Sequence, residues 1–213
     1  MYRGSSYLLQ RDYKAHKTAV GHILNSQYKL LWNYSPSEET KEAAARLLFD
    51  ANNGIYHKIK YSYKNFDSNE DLPSETLVTK ILLGTFGCVT AFDSYFKEGI
   101  SRFNQSTNNR QNYGLTQKIE QNEGTNFKNL VSFYLARENE FKLESDFIYP
   151  PMKLVDMYFW QIGYEMDIAS VLGGANNDEK KRKALRKAER SRLCDYNCDF
   201  STAKNQIEAK NDF

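Results

Sequence analysis

Apolar residues recur at three- and four-residue spacing along most of the chain, and they are densest between 76 and 103, TLVTKILLGTFGCVTAFDSYFKEGISRF. That spacing predicts a helix carrying Leu77, Val78, Ile81, Leu82 and Phe86 on one face, with Leu83 widening the apolar arc. Ser74 is the expected N-cap. Gly84 and Gly87 interrupt the pattern, and either suits the left-handed conformation that ends a helix. A second helix is then expected, with Thr90 as N-cap and Asp93 at N3, placing Ala91, Phe92, Tyr95, Phe96, Ile100 and Phe103 in the core. This elbow and its two helices form the predicted centre of the fold, with Leu82, Phe86, Phe92 and Phe96 buried.

Upstream, the pattern predicts one helix over 12–32 with Val20, Ile23, Leu24, Tyr28 and Leu31 on its buried face. Ser35-Pro36-Ser37-Glu38 follows as a start signal, with serine as cap, proline at N1 and an acid at N3. The helix it opens carries Ala43, Ala44, Leu47, Leu48 and Ala51. Asn52-Asn53-Gly54 then leaves either a kinked helix or two consecutive ones, since Ile55 and Ile59 keep the period. Residues 61–72 read as a polar aromatic loop. Residues 104–116, rich in Asn, Gln, Ser and Thr, read as a long loop or internal linker.

Thr125 is expected to cap a helix bearing Phe127, Leu130, Val131, Tyr134, Leu135 and Phe141. Pro150-Pro151 marks a stop, followed by a helix to about Leu172 with Leu154, Val155, Tyr158, Phe159, Ile162, Met166 and Ala169 on a broad apolar face. Gly173-Gly174 closes the body. The expected fold class is therefore all-α: a compact bundle of about six to seven helices over 1–173, with a basic helix in a C-terminal extension, 174–213.

Composition changes this picture little. Hydrophobic residues make up 40% of the chain and charged residues 26%, which is ordinary for a globular domain. Four prolines and the scarcity of alternating runs argue against an all-β fold. Three cysteines give no disulfide framework, the N-terminus has no leader pattern, and no apolar run reaches membrane-spanning length. A cytoplasmic protein with no cofactor and no metal is the simplest expectation, and a homodimer is open.

Charge alters the picture more. From Lys180 to Arg192 stand Lys180, Lys181, Arg182, Lys183, Arg186, Lys187, Arg190 and Arg192 against the single acid Glu189, a net of +7, whereas the whole chain carries +2. The remainder sums to −5, which implies a mildly acidic body. Like charges at i, i+4 repel on a helix, and Ala184, Leu185 and Ala188 offer little to bury. Such a segment calls for phosphates, an acidic protein, or the body's own acids as its partner.

Other candidates concern phosphate chemistry. At the elbow, backbone N–H groups of Gly87, Cys88, Val89 and Thr90 with a helix dipole behind them could hold an anion; a plain tight turn is the alternative. Cys88 reads as a buried thiol or, near that dipole, as a nucleophile. Arg11-Asp-Tyr-Lys-Ala-His16 has an Arg-x4-His spacing that resembles the catalytic motif of the HEPN ribonucleases, small helical proteins of bacterial defence and toxin systems. The resemblance implies RNA cleavage across a dimer interface by Arg11 and His16; solvated helix residues are the alternative. Cys194 and Cys198 could give two thiolates, but structural zinc needs four ligands. Serine-hydrolase, kinase and zinc-protease motifs are absent. The reading favoured by these residues is a non-catalytic binding module acting through 180–192. A phosphoester-handling enzyme, using Arg11 and His16 or the elbow from Gly84 to Thr90, is the alternative.

Overall fold

A computed structural model describes residues 13–64, 72–105, 113–119, 124–142 and 148–172. Among them stand eight α-helices and no strand: α1 (Lys17–Ile23), α2 (Lys29–Trp32), α3 (Thr40–Phe49), α4 (Ile55–Ser62), α5 (Glu75–Phe86), α6 (Ser94–Gln105), α7 (Thr125–Ala136) and α8 (Pro151–Leu172). Short 3-10 turns lie at Tyr13–His16, Ser26–Tyr28 and Glu138–Phe141. The all-α bundle is as expected. The extension 174–213, with its basic segment and both of its cysteines, lies outside the described residues, as does Arg11.

The helix expected over 12–32 is instead broken into α1 and α2. Asn25 causes the break, adopting an extended backbone and accepting the Gln27 N–H on its side-chain oxygen. Before the break α1 buries Ala19 and Ile23 and leaves Val20 46% and Leu24 69% exposed; after it Tyr28 and Leu31 are buried. A hydrogen-bonded Asn thus ends the helix that the apolar period alone would have continued.

Ser35 does not cap α3; Ser37 does. Its Oγ accepts the Thr40 N–H at 3.1 Å while Thr40 Oγ1 accepts the Ser37 N–H at 3.0 Å, a reciprocal box with threonine in the usual acid's place. The buried stripe of α3 is consequently Ala44, Ala45, Leu48 and Phe49. Asp50 then takes the N–H groups of Asn52 and Asn53, separating α3 and α4 into two consecutive helices.

The most extensive helix contact is between α6 and α8. A Cβ on Gly99 would stand 1.9 Å from the Phe159 carbonyl oxygen, and one on Gly163 1.9 Å from that of Tyr95. Backbone thus meets backbone at two points, which only glycine permits. Around the seam Phe159 packs on Phe96 at 5.5 Å, Phe103 at 5.5 Å and Phe133 at 5.1 Å, ring separations within the favourable aromatic range. Leu82, Phe86, Phe92 and Phe96 are all buried, which puts the core where the densest apolar stretch predicted it. The segment 113–119 is docked rather than free: Asn126 pins Thr116 and Lys118, and Glu75 accepts the Ile119 N–H. Among the described residues no helix is long and apolar enough to cross a membrane.

Candidate functional site

The elbow starts as the sequence implies. Ser74 accepts the Leu77 N–H to open α5, and Gly87 at φ +68° closes it, its N–H bonded to Leu83. A Cβ at Gly87 would sit 2.7 Å from the Pro150 ring, so this turn also seats the start of α8. Gly84, by contrast, stays inside α5.

Beyond Gly87 the structure departs from expectation. Thr90 does not cap α6. Asp93 does, its Oδ1 accepting the Phe96 N–H at 3.0 Å while its Oδ2 pairs with Lys80 at 3.1 Å. Residues 88–92 run without helix and are buried. Two of their amides already have internal acceptors: Ala91 donates to Asp156 Oδ1 at 2.8 Å and Phe92 to Thr79 Oγ1 at 3.0 Å. The carboxylate nearest these donors is thus the protein's own. Gly87, Cys88, Val89 and Thr90 are buried, and α6 begins at its Asp93 cap, three residues beyond Thr90. Burial also pushes the Cys88 thiol well above its ordinary range, which fits an inert thiol rather than a nucleophile.

His16 ends the first 3-10 turn, its Nδ1 3.1 Å from the Tyr63 hydroxyl and its ring edge-on to Tyr63. The structure gives it a tertiary contact that the Arg-x4-His spacing did not suggest. Among the described residues no three His, Cys, Asp or Glu side chains stand close enough to hold a metal ion.

A cleft of about 750 Å³ opens beside the elbow. Lys80, Leu83 and Gly84 of α5 form one wall; Lys153, Asp156, Met157, Trp160 and Gln161 of α8 form the other; Ala91, Asp93 and Tyr149 complete it. Each wall repeats at three and four residues, so each is one helical face. Both carboxylates do double duty. Asp93 holds the α6 N-terminus and Lys80; Asp156 holds the Ala91 amide and Lys153, at 2.9 Å. The side chains of Asp156 and Asp93 are 7% and 15% exposed, those of Lys153 and Lys80 37% and 33%. In both pairs the lysine is the more exposed member, and all four side chains line the cleft. Burial raises the Asp156 pKa, outweighing the opposing pull of Lys153.

At the far end Trp160 stacks on Tyr164 at 4.8 Å and meets Tyr95 edge-on at 5.3 Å, which fixes the indole's orientation. None of Lys80, Asp93, Lys153, Asp156 or Trp160 stood out as a site residue in the sequence. The readable signal was a polar stripe at 149, 153, 156, 160 and 161 flanking the apolar face of α8. No family model, no curated protein and no solved structure matches the chain.

Proposed function

We propose that the chain is a helical binding module that engages nucleic acid through its basic segment, Lys180 to Arg192. One observation carries this reading: the described body is not the acidic surface that segment would need for docking. The described residues hold sixteen Lys and Arg against twelve Asp and Glu. Outside 180–192 the chain still sums to −5, and its excess of acids lies in segments outside the described residues. Six of the twelve described carboxylates are also paired already. Glu75 pairs with Lys97, Asp93 with Lys80, Asp156 with Lys153, Glu42 with Lys128, Glu140 with Arg137 and Glu38 with Lys41. An external polyanion is the partner that most directly offsets a net of +7 in thirteen residues.

The test is salt dependence. With about four phosphate contacts, log affinity for an oligonucleotide should fall against log salt with a slope near −3 to −4. Changing Lys181, Arg182, Arg186 and Arg190 to Gln should abolish binding and leave the melting temperature in place. A lowered melting temperature with no oligonucleotide bound at low salt would instead make the segment a docking element. Capture of an acidic protein with the same residues would replace nucleic acid as the partner. RNA cleavage lost in both Arg11→Ala and His16→Ala would favour the phosphoesterase reading instead.

A further inference from the structure

We infer that the cleft between α5 and α8 binds a small amphipathic anion: one carboxylate or phosphate ester head on a flat apolar body. This inference stands on observations other than those for segment 180–192. The volume, about 750 Å³, is that of a small-molecule site rather than a packing void.

Its polarity has a direction. In both ion pairs of the cleft the acid is the less exposed partner and accepts a backbone N–H, which leaves the lysine as the more exposed charge. Lys153 is held by Asp156 on one N–H, and an ammonium has three to give. A recessed carboxylate that holds a more exposed lysine presets a donor for an incoming anion, since the lysine's freedom is already spent. With Lys80 and Lys153 the more exposed members of the two pairs, an anion is favoured over a cation. Leu83, Met157, Tyr149 and Trp160 supply the apolar surface, and the orientation of Trp160 is fixed by Tyr95 and Tyr164. Gln161 adds an amide at the rim, its Nε2 bonded to Glu165.

Gly84 provides a means of closing the site without touching its charges. It lines the cleft, and a Cβ built there meets nothing within 4 Å. A phenylalanine at 84 has open space to enter and replaces a residue that weakens helix interiors.

The experiment uses the full chain carrying Trp32→Phe, which leaves Trp160 as the single indole. Phenyl phosphate, 3-phenylpropanoate, benzyl alcohol and inorganic phosphate are titrated in turn, reading heat and Trp160 emission. At least one aryl anion should bind and shift the emission, and the stronger of the two identifies the head group as phosphate or carboxylate. Benzyl alcohol and inorganic phosphate should each bind at least ~tenfold more weakly, the scale of one lost charge-assisted hydrogen bond. Gly84→Phe should abolish binding with an unchanged or raised melting temperature. Lys153→Gln should weaken it and Lys153→Arg should restore it. The inference is overturned if neither aryl anion binds by about 10 mM, a free energy too small to reflect a site. It is equally overturned if the neutral alcohol binds as well as the anions, or if Gly84→Phe leaves affinity unchanged.

Discussion

Where α6 crosses α8, Gly99 and Gly163 let the two backbones touch and aromatic rings close around them. Where α1 lies on α4, Ala19 and Ile23 are buried but Val20 and Leu24 stand in solvent, and single polar contacts add to the attachment. Tyr28 donates to the Asn53 carbonyl at 2.6 Å, His16 meets the Tyr63 hydroxyl, and Lys58 lies over the Tyr28 ring. The two regions show two ways of fixing a helix. Continuous burial tolerates almost no change in volume, whereas a tethered helix tolerates most changes except those at the tethers. Native-state hydrogen exchange should accordingly be slowest in α6 and α8 and faster in α1 and α2.

Substitutions can sharpen or break this contrast. The largest loss is expected from Phe96→Ala, which removes a ring packed on Phe92 and Phe159. Chemical denaturation should register about 3–5 kcal/mol. A loss below about 1 kcal/mol would mean that the centre of the fold is elsewhere.

Gly99→Ala comes next. The added methyl has only backbone to displace, so about 3 kcal/mol is expected in the same assay, at the upper end for overpacking. If alanine is accepted at 99 without loss, the seam is not in backbone contact and the comparison fails on its stronger side.

On the tethered side, Tyr28→Phe keeps the ring and deletes the hydroxyl that reaches Asn53. About 1 kcal/mol should be lost in equilibrium unfolding, with exchange of the α1 and α2 amides accelerated more than that of α8. The smallest effect belongs to Leu24→Ser, which should change the melting free energy by no more than about 0.5 kcal/mol. A larger loss would show that Leu24 is covered in solution, for instance by a second copy of the chain.

The apolar periodicity made the centre legible because Leu82, Phe86, Phe92 and Phe96 lie on long, uninterrupted helical faces. Ser74 and Gly87 were readable for the same local reason: each does its work within four residues. The misplacements at Asn25, Ser37 and Asp93 share one cause. At each point several polar residues could serve as the cap, and spacing alone does not rank them. Thr90 resembles Asp93 as a cap, yet only Asp93 can also reach Lys80 on α5.

Gly99 and Gly163 were missed because a glycine inside a helix reads as a weakness until its neighbour across the seam is known. The cleft was illegible because its charges come from three elements distant along the chain. Asp156 in particular looks like a surface acid until Ala91 is found against it.

The seam between α6 and α8 also bears on the order of events during folding. Gln105 and Pro151 end the chain stretch that must fold back before Gly99 can meet Phe159. Closing a loop of that span carries an entropy cost of about 3 kcal/mol before any contact is gained. The α5–α6 elbow needs no such closure. A chain assembled in this sequence should put the elbow into the transition state and leave the seam to set the dwell time of the native state. Stopped-flow chevrons would then show Leu82→Ala slowing refolding while Gly99→Ala mainly speeds unfolding. The glycine pair would thereby act as the latch on the finished bundle rather than as its nucleus.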